Sequence, residues 1–174
     1  MEARTSRANI AAQQYLTFDL AEEIYGLPIL KVNEIIGLLG VTRVPNTPEF
    51  IKGVINLRGT IIPVVDLRRK FGMAEAEPTA ETCIIVLDSG DTRMGIIVDR
   101  VREVQRIADE NVTPPPPLGA NVSTDFLKGI GTTATEVLLL LDIDVVLSER
   151  DTIDIKSALS LIPPPEPDAH ASQG

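Results

Sequence analysis

The chain carries an internal repeat, and this constrains its fold more than any other feature. Tyr25-Gly26-Leu27-Pro28-Ile29-Leu30-Lys31-Val32-Asn33-Glu34-Ile35 aligns with Met94-Gly95-Ile96-Ile97-Val98-Asp99-Arg100-Val101-Arg102-Glu103-Val104, 69 residues later (Gly26 to Gly95). Phe50-Ile51-Lys52-Gly53-Val54 aligns with Phe126-Leu127-Lys128-Gly129-Ile130, and the stretch 61–67 with 137–143, both 76 residues later (Asp66 to Asp142). The 7 extra residues of the second copy fall around Thr113-Pro114-Pro115-Pro116-Pro117-Leu118. Two blocks in one order, each at a constant offset, describe a duplicated unit. Each copy has roughly 60 residues, a size at which a lone domain is marginal. Two copies sharing one apolar interface relieve that, and the repeat leaves open whether terminal strands are exchanged between them.

The residues of each unit favour strands. The chain has 19 Ile and 15 Val, which are stiff at χ1 and fit a pleated surface, while aromatics make up 3% and Trp is absent. Leu16, Phe18 and Leu20 alternate onto one face of a first strand, and Tyr25, Leu27 and Ile29 onto one face of a second. Polar Ala21-Glu22-Glu23 between them predicts a hairpin. Further strands are expected over 41–44, 54–57, 61–67, 82–87, 94–98 and 137–141. Val32, Ile35 and Ile36 fall at i, i+3 and i+4, which predicts one or two turns of helix there and in the matching segment around Val104. Residues 75–81 form an acidic connector, and 113–118 an extended Pro-rich one. Ile155, Ala158, Leu159 and Ile162 have helical spacing, closed by Pro163-Pro164-Pro165. The expected layout is an N-terminal arm (1–14), one domain (15–147) with subdomains near 15–72 and 80–147, a helical extension (148–162) and a disordered Pro-rich tail (163–174).

Several kinds of chemistry are excluded by composition. The single histidine, His170, lies in the Pro-rich tail, and the single cysteine, Cys83, lies in the apolar run Thr82-Cys83-Ile84-Ile85-Val86-Leu87. No Ser-His-Asp or Cys-His nucleophile and no His/Cys zinc site can be assembled from these. Cys83 reads as a small hydrophobe, and one cysteine permits no intramolecular disulfide. Sixteen Lys and Arg against 25 Asp and Glu give a net charge of −9, the wrong sign for a nucleic-acid partner. No apolar run approaches the ~20 residues of a membrane helix. No cofactor or metal is implied.

The most distinctive segment is Phe50-Ile51-Lys52-Gly53-Val54-Ile55-Asn56-Leu57-Arg58-Gly59-Thr60-Ile61-Ile62-Pro63-Val64-Val65-Asp66-Leu67, a strand, a tight Arg-Gly turn and a second strand. Gly59 would supply the positive φ of the turn and Arg58 would project from the rim. The second copy keeps Phe, Lys, Gly and Asp but has Ala134-Thr135 in place of Arg58-Gly59. What both copies retain serves the fold; what one copy alone holds is free for function. This segment, with Tyr25-Gly26, Ile29-Leu30-Lys31-Val32, Thr42-Arg43, Pro48 and Gly95-Ile96-Ile97-Val98-Asp99, closely resembles the CheW family, coupling proteins of bacterial chemotaxis, over about 15–147.

The resemblance implies an all-β fold with short helices, two five-stranded SH3-like β-barrels packed on a shared hydrophobic seam. It implies a cytoplasmic, non-enzymatic adaptor at chemoreceptor arrays. Such an adaptor bridges the cytoplasmic hairpin tip of methyl-accepting chemoreceptors to the regulatory domain of a CheA-type histidine kinase. By position, receptor contact falls to Val32, Glu34, Gly53, Arg58 and Val104, and kinase contact to the segment bounded by Thr113 and Leu118. Thr113 and Leu118 replace the basic and aromatic residues frequent at those ends in the family, which weakens a charge pair and keeps an apolar contact. Because Glu103 repeats Glu34 and Val101 repeats Val32, both residues also admit a role in the fold. A same-fold alternative is the C-terminal part of a CheA-type kinase, or a domain joined to a receiver. The initiating Met1 and polar end at Gly174 favour a free-standing chain, and no phosphorylatable His in a helical bundle or nucleotide motif is present. A reading from another class takes Asp88-Ser89-Gly90 as the active turn of a retroviral-type aspartic protease, two Asp88 carboxylates pairing in a homodimer. Copy one has Ala21-Glu22-Glu23 at the matching place, and a hairpin turn accounts equally for the motif.

Overall fold

The computed structural model describes residues 12–38, 40–115 and 126–147, and its strands form two sheets. The strands are β1 (Ala12–Leu20), β2 (Glu23–Pro28), β3 (Val32–Gly37), β4 (Ile51–Leu57), β5 (Thr60–Asp66), β6 (Cys83–Ser89), β7 (Thr92–Val98), β8 (Arg100–Ala108), β9 (Val112–Thr113), β10 (Leu127–Thr132) and β11 (Val137–Leu141). Two single-turn helices, α1 (Leu67–Lys70) and α2 (Ile143–Val146), follow β5 and β11. One sheet runs β8-β1-β2-β11-β10-β9 and the other β3-β6-β7-β5-β4. All neighbours are antiparallel except β2–β11 and β5–β7. The two orders match strand for strand through the repeat, and a lone bridge from Thr42 to Val54 takes in the second sheet the place of β9 in the first. The exchange left open by the sequence is therefore present. Hairpin β1–β2 of the first copy lies among the strands of the second, and hairpin β6–β7 of the second lies among those of the first.

Exchange explains why the central strands are apolar on both faces. Ile84 and Val86 of β6 join Ile55, Ile62 and Val64 in the interior of one barrel. Ile85 and Leu87, on the opposite face, join a larger cluster shared by both sheets, with Leu16, Phe18, Leu20, Tyr25, Leu27, Met94 and Ile96. The other barrel is filled by Tyr15, Ile107, Leu138 and Leu140. A strand covered on both faces reads as a continuous apolar run. The shared cluster is the seam, and it carries a row of aromatic rings: Phe18, Tyr25, Phe71 and Phe126, with successive centroids 5.9, 5.9 and 4.9 Å apart. Thr17, fully buried where β1 bulges against β8, donates from Oγ1 to the Glu103 carbonyl (2.7 Å) and accepts from its N–H (3.2 Å).

Four local expectations are corrected. Val32, Ile35 and Ile36 lie in a strand, β3, preceded by a 3₁₀ turn at Ile29–Lys31, and Val104 lies in β8. Three β-branched residues in six, with an open strand position beside β6, outweigh the helical spacing. The strand expected over 41–44 reduces to the Thr42 bridge. The first strand starts at Ala12, inside the expected arm. Leu67 opens a helix instead of ending a strand, because the Asp66 carboxylate accepts the Arg68 N–H (3.1 Å); Asp142 caps α2 by accepting the Val145 N–H (3.4 Å). The C-terminal helix, the tail and most of the arm lie outside the described residues.

The Phe, Lys, Gly and Asp of the signature hairpins, kept by both copies, occupy equivalent places in the structure. Asp66 N–H donates to the Phe50 carbonyl (2.8 Å) and Asp142 N–H to that of Phe126 (2.9 Å), so each signature hairpin closes alike. Lys52 and Lys128 fall at the register shifts of these hairpins, and Gly53 and Gly129 follow them. A corner between the sheets is tied by Arg68. Its Nε and Nη2 donate to the two Asp99 carboxylate oxygens (3.0 and 2.6 Å), while the Ala21 N–H donates to Oδ2 (2.8 Å). Burial alone would raise the Asp99 pKa, but these hydrogen bonds and the Arg68 charge outweigh it and hold the carboxyl below its usual value. A folded pKa below the unfolded one adds stability that is present above about pH 4 and is lost as pH falls through the folded value. Asp99→Asn is expected to cost about 1–2 kcal/mol at pH 7, discounted for partial exposure, and to flatten the acid limb of a urea-stability profile. An unchanged acid limb would show that another carboxylate governs it.

Candidate functional site

Arg58 and Gly59 are the two central residues of the β4–β5 hairpin, with Leu57 paired to Thr60. Both have positive φ, 53° and 87°. Such a turn matches the twist of the flanking strands and favours Asn-Gly; an arginine in the left-handed region costs about 1–2 kcal/mol. The Asn56 side chain offsets part of this by accepting the Gly59 N–H (2.8 Å). Sequence reasoning assigned positive φ to Gly59 alone; the strained residue is also Arg58. Strain of this kind is kept where the side chain is needed in one direction.

Arg58 Nη2 donates to Glu34 Oε1, joining the β4–β5 hairpin to β3. These belong to opposite edges of their sheet, so the ion pair spans the gap across which the sheet curls. The Arg58 side chain keeps 69% of its surface in water, so the pair adds little to stability and leaves the guanidinium open to a partner. In the other copy Ala134 stands at the corresponding turn, so that turn offers Glu103 no equivalent of Arg58.

The remaining residues are placed as follows. Val32 lies on β3 two positions before Glu34, half-buried against the seam. Gly53 is buried, and a Cβ there would lie 2.1 Å from the Thr42 carbonyl oxygen, so its part in the site is shape. Val104 is exposed on β8, an edge strand of the other sheet. The structure thus joins Glu34 to Arg58, keeps Val32 beside them and sets Val104 on a separate sheet. Ile35, the repeat partner of Val104, is equally exposed on β3, and Leu30 is nearly bare; sequence reasoning singled out neither. Leu30 lies in the turn before β3 and Ile35 on the edge strand itself, and nothing in their local sequence separates them from core residues. Thr113 sits on β9, its hydroxyl donating to the Ile130 carbonyl (3.4 Å). Leu118 lies outside the described residues.

Asp88 has no catalytic setting. Its Oδ1 accepts from Arg93 Nε (3.2 Å) and its Oδ2 from Asn33 (3.4 Å), and Gly90, with φ 61°, completes a hairpin turn. Burial pushes the Cys83 thiol pKa up, against a weaker opposing bond from the Val101 backbone, which disfavours the reactive thiolate. Among the described residues no group of side chains is arranged to hold a metal, and no helix is long and apolar enough to cross a membrane.

Comparison with known proteins gives a consistent result. A family model described as a CheW-like domain matches residues 14–151. The chain is 43% identical over 139 residues to the chemotaxis protein CheW of Klebsiella aerogenes, covering 80% of this chain and 84% of that one. It is 33% identical over 144 residues to the chemotaxis protein CheW of Treponema pallidum, covering 79% and 84%. The crystal structure of the scaffolding protein TtCheW from Thermoanaerobacter tengcongensis superposes with a TM-score of 0.73 at 37% identity, covering 80% of this chain and 94% of that chain.

Proposed function

The chain belongs to the CheW family, and from that membership we propose that it is a non-enzymatic chemotaxis adaptor joining chemoreceptor tips to the regulatory domain of a CheA-type histidine kinase. The observation that carries a binding site is Arg58: a long cationic side chain held at φ 53° on a rim turn, open to water and present in one copy of the repeat. In this reading the receptor's helical tip meets Val32, Glu34, Gly53, Arg58 and Val104. The kinase domain meets the segment from Thr113 to Leu118. Residues 15–147 form the adaptor unit, cytoplasmic and recruited to receptor arrays. Holding two partners at once raises their effective concentration for each other. Control of the kinase then requires the adaptor to favour one receptor–kinase arrangement over another, a coupling free energy between the two surfaces. No bond is made or broken on the chain, and no cofactor enters.

The test is binding of the wild type and two Arg58 variants to a receptor tip fragment and to a kinase regulatory domain, measured separately. Arg58→Glu is expected to weaken the receptor fragment about tenfold or more while kinase binding holds within twofold. Arg58→Asn, which suits the positive φ, is expected to fold at least as stably as the wild type and still lose receptor affinity. Equal receptor affinity for all three proteins would remove Arg58 from the site. Binding of the wild type to neither partner would remove the adaptor reading.

A further inference from the structure

The repeat creates two equivalent corners, and the described residues cover one of them. In the first, α1 stands beside the β7–β8 junction, Asp99-Arg100. The chain leaving α1 folds back over it. Phe71 and Met73 pack on the seam, the Ala74 carbonyl accepts from Arg68 Nη1 (3.2 Å), and Glu81 pairs with Arg100 (3.8 Å). Ala76, Glu77 and Thr82 wall the crevice above Asp99.

In the second corner α2 stands beside Leu30-Lys31, which the 69-residue offset places where Asp99-Arg100 stand in the first. Lys31 Nζ donates to Asp144 (3.2 Å) and Ser89 Oγ to the same carboxylate (3.4 Å), so the helix and the 3₁₀ turn are in contact. Beside these polar contacts two apolar side chains stand bare: Leu30 is 93% exposed and Val145 42%. The chain leaving α2 starts at Ser148, directly after Leu147, the repeat partner of Phe71. Residues 148–174 lie outside the described structure, and they include Ile153, Ile155, Leu159, Leu161 and Ile162. At about 3.3 Å per residue, the 8 residues from Ser148 to Ile155 can extend roughly 26 Å beyond α2.

We propose that residues 151–162 of this chain dock over Leu30 and Val145, as residues 72–82 cover Asp99 in the other copy. Polarity matches at both corners: the charged one is roofed by a polar connector, and the one that bares Leu30 and Val145 is followed in the chain by a mixed stretch with apolar residues at helical spacing and polar ones between them. Leu30 lies two residues from Val32, and the inference holds whatever partner that face takes.

The test uses the full-length chain with Cys83→Ala, so that one introduced thiol reports. Leu30→Cys is expected to react with a maleimide about tenfold more slowly than Asp91→Cys in the exposed β6–β7 turn. Ile155→Asp with Leu159→Asp is expected to restore the rate to within about twofold of that control. In the unsubstituted chain, methyl NOEs should connect Leu30 with residues 151–162, independently of any variant. Labelling at the control rate, protection untouched by the double substitution, or absent NOEs would each overturn the proposal. Protection that vanishes on dilution would assign the surface to a second copy, and also overturns it.

Discussion

Gly53→Ala is expected to destabilise the protein by about 4 kcal/mol, near the upper end for a single substitution. Two costs combine. The residue has φ 150°, a backbone conformation side chains rarely adopt, and an added Cβ would meet the Thr42 carbonyl oxygen at 2.1 Å and its carbon at 2.7 Å. Those are backbone atoms, held by two hydrogen bonds between Thr42 and Val54 of 2.8 Å each, so no flexible side chain can yield. Gly129→Ala supplies the internal comparison. Its Cβ would meet the Val112 Cγ1 methyl at 2.8 Å and the Thr113 oxygen at 3.0 Å, without the strained φ, and a cost of about 1–2 kcal/mol is expected. Urea denaturation of the two variants reads the difference as a shift in midpoint at constant slope. Wild-type stability of Gly53→Ala would show that the Thr42 bridge moves freely.

The second large effect is Phe18→Ala, expected to cost about 3–5 kcal/mol. Phe18 is fully buried in the seam, stacked on Tyr25 at 5.9 Å, and packs with residues of both sheets. The variant is expected to unfold in one transition, with circular dichroism and fluorescence of the two tyrosines tracing the same curve. Neither sheet is assembled from one copy, so neither barrel can persist when the shared cluster opens. Two resolved transitions would mean that the barrels are stable apart from the seam and that Phe18 serves only one of them.

The candidate site was partly legible in sequence. Arg58 stood out because its repeat partner was absent, and the structure sets it on a strained rim turn against Glu34. For Glu34 the repeat suggested a shared task with Glu103, yet Glu34 meets Arg58 while the corresponding turn of the other copy holds Ala134: the same residue in two copies is offered different neighbours. Val32 and Val104 were read as helical because spacing within six residues cannot separate a helix face from an edge strand whose other side is open. The exposure of Ile35 on its edge strand and of Leu30 in the turn before it was invisible for a related reason, since an apolar residue looks like core until its neighbours are placed.

Residue order alone was enough to reveal the duplication, the dominance of strands and the Phe, Lys, Gly and Asp that both copies keep for the fold, while the pairing of Phe50 with Asp66 and of Phe126 with Asp142 came from the structure. These rest on local chemistry, a cap, a bulge or a close approach, which a few neighbouring residues specify. The tertiary structure alone decided that hairpins β1–β2 and β6–β7 trade places, that β3 and β8 are strands, and that the two faces of β6 fill two different cores. Two copies of one pattern offer each hairpin two nearly identical docking positions. The choice between them is settled by connection lengths and by the seam that forms when both are exchanged, and these are long-range terms that no window of sequence contains.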